Sequence, residues 1–380
     1  MAETVTWDQL RDLAEFRAEK GYAISLYVDL DPSNVPTAGD ADARVNSLLS
    51  EGERHAGANS RGLTHDQRVA LKADFDRIRE YFASEFDRDG AQGLAIFTAG
   101  LDNVWRPRGL IESVPDKVHV GREFHLAPLV PLVGRGGGAI VAVVSRERGD
   151  VFRLSSGHLG EVADRTADLP GQHDQGGSSQ SRFQRHIEKL VGEHLREVAE
   201  ELDRRVRAMA SPKVIVVCSD ETRSEFEELL SKETRDAIVG RTNAEAHASP
   251  AELLELVSPL LEEARAKEEG EVIERWREEA GRGARAASGW AEIFEAASDE
   301  RIEVLLYEAN AQHDAWQCPR CGRLSAAGGQ CPLDGTELDH RDDGLDLAVH
   351  QVLAHGGTIW AITAHQDLEP VEGVGALLRY

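Results

Sequence analysis

Short apolar runs rich in β-branched residues recur along the chain and alternate with segments of helical spacing. The clearest runs are GYAISLYVDL at 21–30, AIVAVVS at 139–145, KVIVVCSD at 213–220 and IEVLLYEAN at 302–310. Each has the length and composition of a buried strand. Between them, apolar residues spaced along one face predict amphipathic helices, the longest running from Phe183 to Leu202. Strands that alternate with helices predict an α/β protein.

The chain divides into three predicted modules, since 380 residues is long for a single core. GRGGG at 134–138 is interpreted as a linker, because the Gly-Lys-Ser/Thr of a phosphate loop does not follow it. A charged helix from Pro250 to about Gly281 leads into the last block. We therefore predict three separate modules of α/β type: an N-terminal domain over 1–133, a middle domain over 134–270 and a C-terminal domain over 271–380.

Composition and net charge limit which partners, nucleic acid or membrane, the protein can be expected to bind. Apolar residues make up 41% and charged residues 29%, as in a globular protein. The net charge of −25 argues against a general nucleic-acid coat, so an RNA partner requires a local basic patch. No run of 18 apolar residues and no secretory signal is visible, so we expect a cytoplasmic protein without a membrane partner.

Three of the four cysteines form a cluster with metal-ligand spacing. Cys318-Pro-Arg-Cys321 is followed, after nine residues, by Cys331-Pro-Leu-Asp334, which gives two short turns that can face one tetrahedral ion. Asp334 stands where a fourth cysteine would be, and His340 and His313 are alternative fourth ligands. A structural zinc ion is the favoured interpretation, and a turn pair held by packing alone is the alternative. Cys218 lies inside a predicted strand and is interpreted as a buried core thiol.

A Gly-Gly-Gln tripeptide at 328–330 lies between these two turns, directly before Cys331. Glycines at this place allow the positive φ angles of a tight turn. We therefore interpret this tripeptide as part of the metal-binding turn and assign it no catalytic role.

A second stretch, HDQGGSSQSRFQRH at 173–186, joins a polar loop to the start of the long amphipathic helix that contains Phe183 and Leu202. Glycines let the loop approach a ligand closely, and the unpaired N–H groups of a helix start favour anions. Arginines in the first turns add bidentate phosphate contacts. The predicted RNA-binding residues are His173, Gln175, Gly176, Gly177, Ser178, Ser179, Gln180, Arg182 and Arg185. A solvated surface loop before a salt-bridged helix is the alternative.

This stretch resembles the Gly-Gly-Gln-Ser-x-x-Arg-Phe-x-Arg signature of the archaeal and eukaryotic class-1 release factors. ISLYVDL, GLAIF and FHLAPLV resemble strands of that family's N-terminal domain, and the final GALLRY, preceded by a zinc-knuckle insertion, resembles the end of a C-terminal domain shared with Pelota. Within the superfamily the chain most resembles the bacterial branch typified by the ribosome hibernation factor Balon. The resemblance implies a three-module fold, binding to the A site and rRNA of the 70S ribosome, a role in the stress response, and elongation factor Tu as a partner.

The chain departs from this signature at the catalytic position. Arg182 follows Gly177 by five residues, as in the signature, so Ser178 occupies the place of the glutamine. Gln180 lies two residues further on, ~7 Å along an extended chain. Misplacing a catalytic group by ~1 Å can cost ~100-fold in rate. The N-terminal block also lacks a clear match to the stop-codon reading motifs of the release factors.

Three functions follow from these observations. The first is a non-catalytic ribosome-binding factor, which the displaced glutamine favours. The second is a peptidyl-tRNA hydrolase that acts in ribosome rescue with Gln180 as the water-positioning residue. The third is a scaffold that binds protein partners, for which the charge of −25 is the main support.

Overall fold

The computed structural model describes residues 2–3, 5–58, 63–88, 90–133, 139–155, 158–165, 180–209, 212–244, 248–283 and 285–380. The chain forms two compact units, one made of 1–135 with 266–380 and the other of 136–265. The first unit holds two large sheets, one from each of its segments, and the second unit holds one. Within the described ranges, no helix has the length and apolar character needed to cross a membrane.

The N-terminal segment forms a five-stranded sheet in the order β1-β4-β3-β2-β5, in which β1 and β4 are parallel and the other pairs are antiparallel. Its strands are β1 (Ala2–Glu3), β2 (Ala23–Asp29), β3 (Gly93–Ala99), β4 (Val104–Leu110) and β5 (Lys117–Gly121). Its helices are α1 (Trp7–Ala14), α2 (Ala38–Ala58) and α3 (His65–Ser84), with a short 3-10 turn at Gly100–Asp102.

Local sequence explains where the helices of this segment begin. Thr64 caps α3, and its side chain and that of Gln67 each accept a hydrogen bond from the other's backbone N–H. Leu71, Phe75 and Ile78 then bury one face of the helix against the sheet. The polar stretch at 31–42 contains the first turn of α2, which begins at Ala38.

The segment FHLAPLV at 124–130 was expected to be a strand, and this prediction is wrong. The structure has a 3-10 helix there, Ala127–Leu132. Pro128 and Pro131 supply no N–H for a sheet ladder and hold φ near the helical value, so the apolar residues are buried by short turns.

The middle unit is a five-stranded sheet in the order β10-β9-β6-β7-β8, with β10, β9 and β6 parallel and the other pairs antiparallel. Its strands are β6 (Ala139–Val144), β7 (Gly149–Ser155), β8 (His158–Asp164), β9 (Lys213–Val217) and β10 (Ile238–Thr242). Its helices are α4 (Gln180–Arg207), α5 (Asp220–Leu229) and α6 (Lys232–Asp236). Leu195, Val198 and Leu202 lie fully buried on the apolar face of α4. Cys218 is buried just after β9, as expected of a core thiol, and burial raises the pKa of its side chain.

A 32-residue helix, α7 (Pro250–Gly281), begins in the middle unit and ends in the other unit. Leu253 and Val257 near its start are buried in the core of the middle unit. Ile273 and Trp276 near its end are buried against the C-terminal sheet, where the indole N–H of Trp276 donates to the carbonyl of Ala287 at 3.1 Å.

The C-terminal segment forms a four-stranded sheet in the order β11-β17-β12-β16, in which only β12 and β16 are parallel. Its main elements are β11 (Ala286–Ser288), α8 (Gly289–Ser298), β12 (Ile302–Glu308), α9 (Gly344–Ala354), β16 (Thr358–Ile362), a 3-10 turn (Glu369–Val371) and β17 (Val374–Leu378). Between β12 and α9 the chain forms a three-stranded antiparallel sheet from β13 (Ala315–Gln317), β14 (Leu324–Ser325) and β15 (Asp339–Arg341).

The N-terminal and C-terminal segments share one apolar core. That core joins Phe97, Phe124 and Leu126 from the first segment to Trp290 and Phe294 from the second. Each of the three predicted modules therefore contains one large sheet, and the last also holds the small sheet β14-β13-β15. The first and the last module are packed into one unit.

Candidate functional site

The cysteine cluster is built from two turns with the same backbone pattern. In the first turn, the N–H of Gly322 donates to the carbonyl of Cys318 at 2.9 Å, and the N–H of Cys318 donates to the carbonyl of Arg323 at 2.9 Å. Gly322 has a φ of +79°, which an L side chain rarely adopts. The N–H of Cys321 points at the sulfur of Cys318 at 3.5 Å. The turn thus aims two sulfurs to one side.

The second turn repeats these contacts. The N–H of Gly335 donates to the carbonyl of Cys331 at 2.9 Å, and the N–H of Cys331 donates to the carbonyl of Thr336 at 2.7 Å. Gly335 has a φ of +72°. Asp334 occupies the place that Cys321 has in the first turn, and its carboxylate accepts a hydrogen bond from the N–H of Thr336 at 3.0 Å. That bond orients the carboxylate before any ligand binds.

The two turns bring four ligand atoms together. One ligand atom each from Cys318, Cys321, Cys331 and Asp334 lies within 4.8 Å of the other three. The sulfurs of Cys321 and Cys331 are 3.6 Å apart, and the sulfur of Cys318 is 3.7 and 3.8 Å from the two carboxylate oxygens of Asp334. With metal–sulfur bonds of about 2.3 Å and metal–oxygen bonds of about 2.1 Å, the edges of a zinc tetrahedron are about 3.6 to 3.8 Å. The spacing therefore fits a tetrahedral ion, and it is too long for a disulfide.

The ionisation of these groups also suits a cation. Burial opposes ionisation of Cys318, but the backbone N–H groups of Cys321 and Arg320 outweigh it and lower the pKa of the thiol. The N–H and side chain of Thr336 lower the pKa of Asp334. At Cys321 the N–H of Arg323 favours the thiolate, but desolvation and the neighbouring sulfurs of Cys318 and Cys331 raise its pKa. Crowded sulfurs resist ionising together, and a bound cation would remove that repulsion.

The structure distinguishes between the three candidates for the fourth ligand. His340 Nε2 lies 3.0 Å from a carboxylate oxygen of Asp314, and the His340 ring packs edge-on against Trp316. His313 stacks on the indole of Trp290. Among the described residues, the group that could hold a metal contains Asp334 and neither histidine.

The Gly-Gly-Gln at 328–330 lies in the segment that enters the second turn. Gly329 has a φ of +134°, and its carbonyl accepts a hydrogen bond from the N–H of Leu338 at 2.9 Å. A Cβ on Gly328 would lie 2.8 Å from the indole nitrogen of Trp316. Gln330 forms an isolated bridge with Glu337. Backbone geometry and close packing therefore account for this tripeptide.

The second predicted site lies mostly outside the described residues. His173, Gln175, Gly176, Gly177, Ser178 and Ser179 fall there, and the side chains of Gln180 and Arg182 do as well. The described part begins with α4 at Gln180, so the polar stretch runs into a long helix as expected. The side chain of Arg185, in the second turn of α4, is exposed.

A basic group at the far end of α4 was not predicted. The buried carboxylate of Glu201 forms ion pairs with Arg165, Arg204 and Arg205. Arg205 also donates to the carbonyl of Val162 at 2.8 Å. These arginines neutralise a buried charge of the protein, so their number alone does not indicate a phosphate site. The four-residue spacing of Glu201 and Arg205 was the available sequence signal.

Comparisons with known proteins point to one superfamily. Residues 125–262 match the family model described as bacterial archaeo-eukaryotic release factor family 10. The chain is 22% identical over 342 residues to the peptide chain release factor subunit 1 of Archaeoglobus fulgidus. The aligned region covers 85% of this chain and 81% of that protein. It is 28% identical over 210 residues to the protein of the same name from Methanopyrus kandleri, covering 53% and 50%.

Among solved structures, the chain is similar to Archaeoglobus fulgidus Pelota at 16% identity and a TM-score of 0.35, covering 76% of this chain and 79% of that one. The family-model match and the two relatives therefore agree in the class of protein that the chain resembles, the archaeo-eukaryotic release factors.

Proposed function

We propose that the chain is a ribosome-binding factor that occupies the A site of the 70S ribosome without hydrolysing peptidyl-tRNA. One observation carries this proposal: in the register set by Gly176, Gly177 and Arg182, Ser178 stands where the release factors have their glutamine. The match to the release factor family model covers this stretch and the whole of α4. These two observations support a factor that keeps the loop and the helix start as its binding element but lacks the catalytic amide at its usual position.

The chemistry of Ser178 supports occupancy without hydrolysis. In the release factors the glutamine positions water against the ester carbonyl of peptidyl-tRNA. A serine hydroxyl is shorter and has no amide group, so it does not place a water at the same distance from the backbone. Gln180 has the required amide, but it is the first residue of α4, two positions beyond Ser178.

The proposed context is ribosome hibernation under stress, with the 173–186 stretch directed to the peptidyl-transferase centre and the N-terminal segment to the decoding centre. Resemblance to the Balon branch supports this context and adds elongation factor Tu as a partner. The expected contacts with rRNA are made by the loop and by Arg182 and Arg185 at the start of α4. The net charge of −25 confines such contacts to a local patch.

The second candidate is a peptidyl-tRNA hydrolase that uses Gln180 in ribosome rescue. The presence of an amide close to the glycines favours it, and so does the name of the two relatives, which are peptide chain release factors.

Ribosome binding and peptide release separate these functions. We expect the protein to co-sediment with 70S ribosomes from starved cells and to release no peptide from loaded ribosomes, and Gln180→Ala should leave binding unchanged. Gln184→Ala, on the same helix start, is the matched control. Peptide release that Gln180→Ala abolishes and Gln184→Ala retains would establish the hydrolase. Absence of binding and of release would leave the scaffold function.

The salt dependence of binding tests the basic helix start. Replacing Arg182 and Arg185 by glutamate should weaken ribosome binding and reduce its salt dependence, because each rRNA phosphate that is no longer neutralised keeps about one counterion. Arg196→Glu is the control, because Arg196 is also exposed but lies three turns further along α4. Equal effects of the two changes would remove Arg182 and Arg185 from the proposed rRNA interface.

We also propose that the metal of the cysteine cluster is zinc. Three thiolates and one carboxylate at tetrahedral spacing form a closed set of ligands, as in structural zinc sites. Such an ion would stabilise the three-stranded sheet β14-β13-β15, whose strands are only two and three residues long.

A further inference from the structure

A group of histidines and acids joins the N-terminal and C-terminal segments of the first unit. The histidine junction comprises His119 on β5, His125 in the segment after it, and Asp343, Asp346 and His350 at the start and middle of α9. All five side chains are at most 16% exposed. The ribosome and metal proposals make no use of these residues.

Asp346 is the fixed negative charge of the junction. Its Oδ1 accepts hydrogen bonds from the backbone N–H groups of Leu126 at 2.6 Å and Ala127 at 2.9 Å. Burial would raise the pKa of this carboxyl, but the neighbouring His125 and His350 outweigh it and hold the pKa well below its usual value. A single carboxylate on α9 therefore holds the backbone of the N-terminal segment.

The imidazoles lie around this carboxylate. His125 Nδ1 is 3.3 Å from Asp346 Oδ1, and His350 Nε2 is 3.5 Å from Asp346 Oδ2. His350 Nε2 also donates to the carbonyl of Phe124, which requires the proton to be on that nitrogen. The ring of His119 stacks on that of His125 with centroids 5.2 Å apart.

In the described part of the chain, no carboxylate is dedicated to stabilising a positive charge on His119. Its nearest carboxylate, Asp343, is 3.7 Å from Nε2 and is already paired with Arg341 at 2.7 Å. Burial and the adjacent His125 lower the pKa of His119 more than Asp346 and Asp343 raise it, and Arg341 adds to the lowering.

Further charged and titratable groups face the junction. Burial lowers the pKa of Arg341, but Asp343 and Glu123 outweigh it and raise that pKa. Glu123 also pairs with Arg17 at 2.9 Å. The hydroxyl of Tyr27 on β2 donates to the carbonyl of His125, and that of Tyr307 on β12 donates to the carbonyl of Ala127 at 3.2 Å. Burial raises the pKa of Tyr27, so it stays neutral in the physiological range.

We propose that the histidine junction is an acid-sensitive latch, in which protonation of His119, stacked on His125, loosens the contact of the N-terminal segment with α9. Two imidazolium rings in a stack, beside Arg341, would place like charges together in a buried site. In the closed state, in which the N-terminal segment contacts α9, the junction therefore disfavours a proton on His119. In the open state, in which this contact is lost, His119 accepts the proton.

The stability of the closed state should decrease as the pH falls. A histidine with a lowered pKa binds fewer protons in the closed state than in the open state, so the closed state loses stability as pH falls through the pKa of an exposed histidine, about 6.5. Asp346 also binds fewer protons in the closed state, but its carboxyl titrates only in strong acid. The latch should therefore respond between about pH 7 and pH 5 through His119.

Hydrogen exchange of the full-length protein tests this latch. Amide exchange rates are measured from about pH 8 to pH 5.5 for residues 122–132, which contain the N–H groups held by Asp346, and for β3. The ratio of the first rate to the second removes the intrinsic pH dependence of amide exchange. We expect the ratio to rise several-fold on acidification, with a limit of about tenfold per pH unit for one excluded proton. In His119→Gln the rise should be reduced, whereas His65→Gln, an exposed histidine on α3, should behave as the wild type.

An unchanged ratio in the wild type, or an equal rise in His119→Gln, would overturn the proposal. If His119→Gln does not fold, NMR titration of the wild-type imidazoles decides the matter. A latch requires His119 to titrate well below the range of an exposed histidine. If His119 titrates within that range, the latch does not exist.

Discussion

The two turns of the cysteine cluster share a backbone but differ in one ligand. Each begins with Cys-Pro, closes with a glycine of positive φ, and returns an N–H to the carbonyl four residues back. The first turn offers two thiols, and the second offers a thiol and a carboxylate. The comparison shows that the geometry of the turn determines where the ligand atom lies. The residue type determines which metals the ligand atom prefers and how strongly protons compete with the metal for it.

Removing the ligand that both turns share should have the largest effect. Cys318→Ser and Cys331→Ser should each reduce bound zinc from about one ion per chain to near none, because only three ligands would remain. Elemental analysis of the purified variants measures this. Cys218→Ala, which changes a buried thiol in the other unit, should keep its zinc. Full zinc content in either serine variant would show that the cluster is not the site.

Changing the ligand that differs should have the next largest effect. Asp334→Ala should weaken zinc binding by more than about 100-fold, since losing a mere hydrogen-bond partner of a ligand already costs about 10–100-fold. Competition with a zinc chelator at pH 7 gives the ratio. Asp314→Ala is the control, because Asp314 is an acid of the same insertion that pairs with His340. If Asp314→Ala is the more damaging change, His340 is the better candidate for the fourth ligand.

Making the two turns alike should change the response to pH. In Asp334→Cys a fourth thiol must lose its proton before zinc binds. On acidification, each pH unit should therefore lower the zinc affinity of this variant by an additional factor of about ten compared with the wild type. The lowered pKa of Asp334 means that the carboxylate does not compete with protons in the same range. Zinc titrations from about pH 8 to pH 6 compare the slopes. Equal slopes would show that Asp334 is not bound to the ion.

The glycines that close the turns should give the smallest effect. Gly322→Ala and Gly335→Ala should each cost about 1 kcal/mol, because an alanine Cβ meets no atom within 4 Å and only the positive φ is unfavourable. Thermal unfolding of the zinc-loaded variants measures the loss of stability. Losses that differ by several-fold would show that the two turns are not mechanically equivalent.

The sequence predicts features that depend on neighbours along the chain. The buried strands and α4 follow from short-range patterns, and the two facing turns of the cysteine cluster follow from the spacing of Cys318, Cys321 and Cys331. The fourth ligand stayed open between Asp334, His340 and His313, because local spacing does not show which side chain another element will engage. The structure places both histidines against other partners.

Features that depend on distant residues were not predicted. The apolar content of 124–130 indicated a strand, but two prolines and a place in a core shared with the C-terminal segment give a 3-10 helix. The bonds from Leu126 and Ala127 to Asp346 join residues 220 and 219 positions apart. No periodicity within one segment encodes such a contact.

The shared core of the first unit determines an order of events during synthesis. Residues 136–265 form a contiguous unit that can fold once they have emerged, whereas the first unit needs residues up to β17. At a synthesis rate of about 5–20 residues per second, the 220 positions between Leu126 and Asp346 take roughly 10–40 s to make. During that interval Phe97, Phe124 and Leu126 lack part of their apolar partners. The nascent N-terminal segment therefore exposes apolar surface until the C-terminal segment is complete.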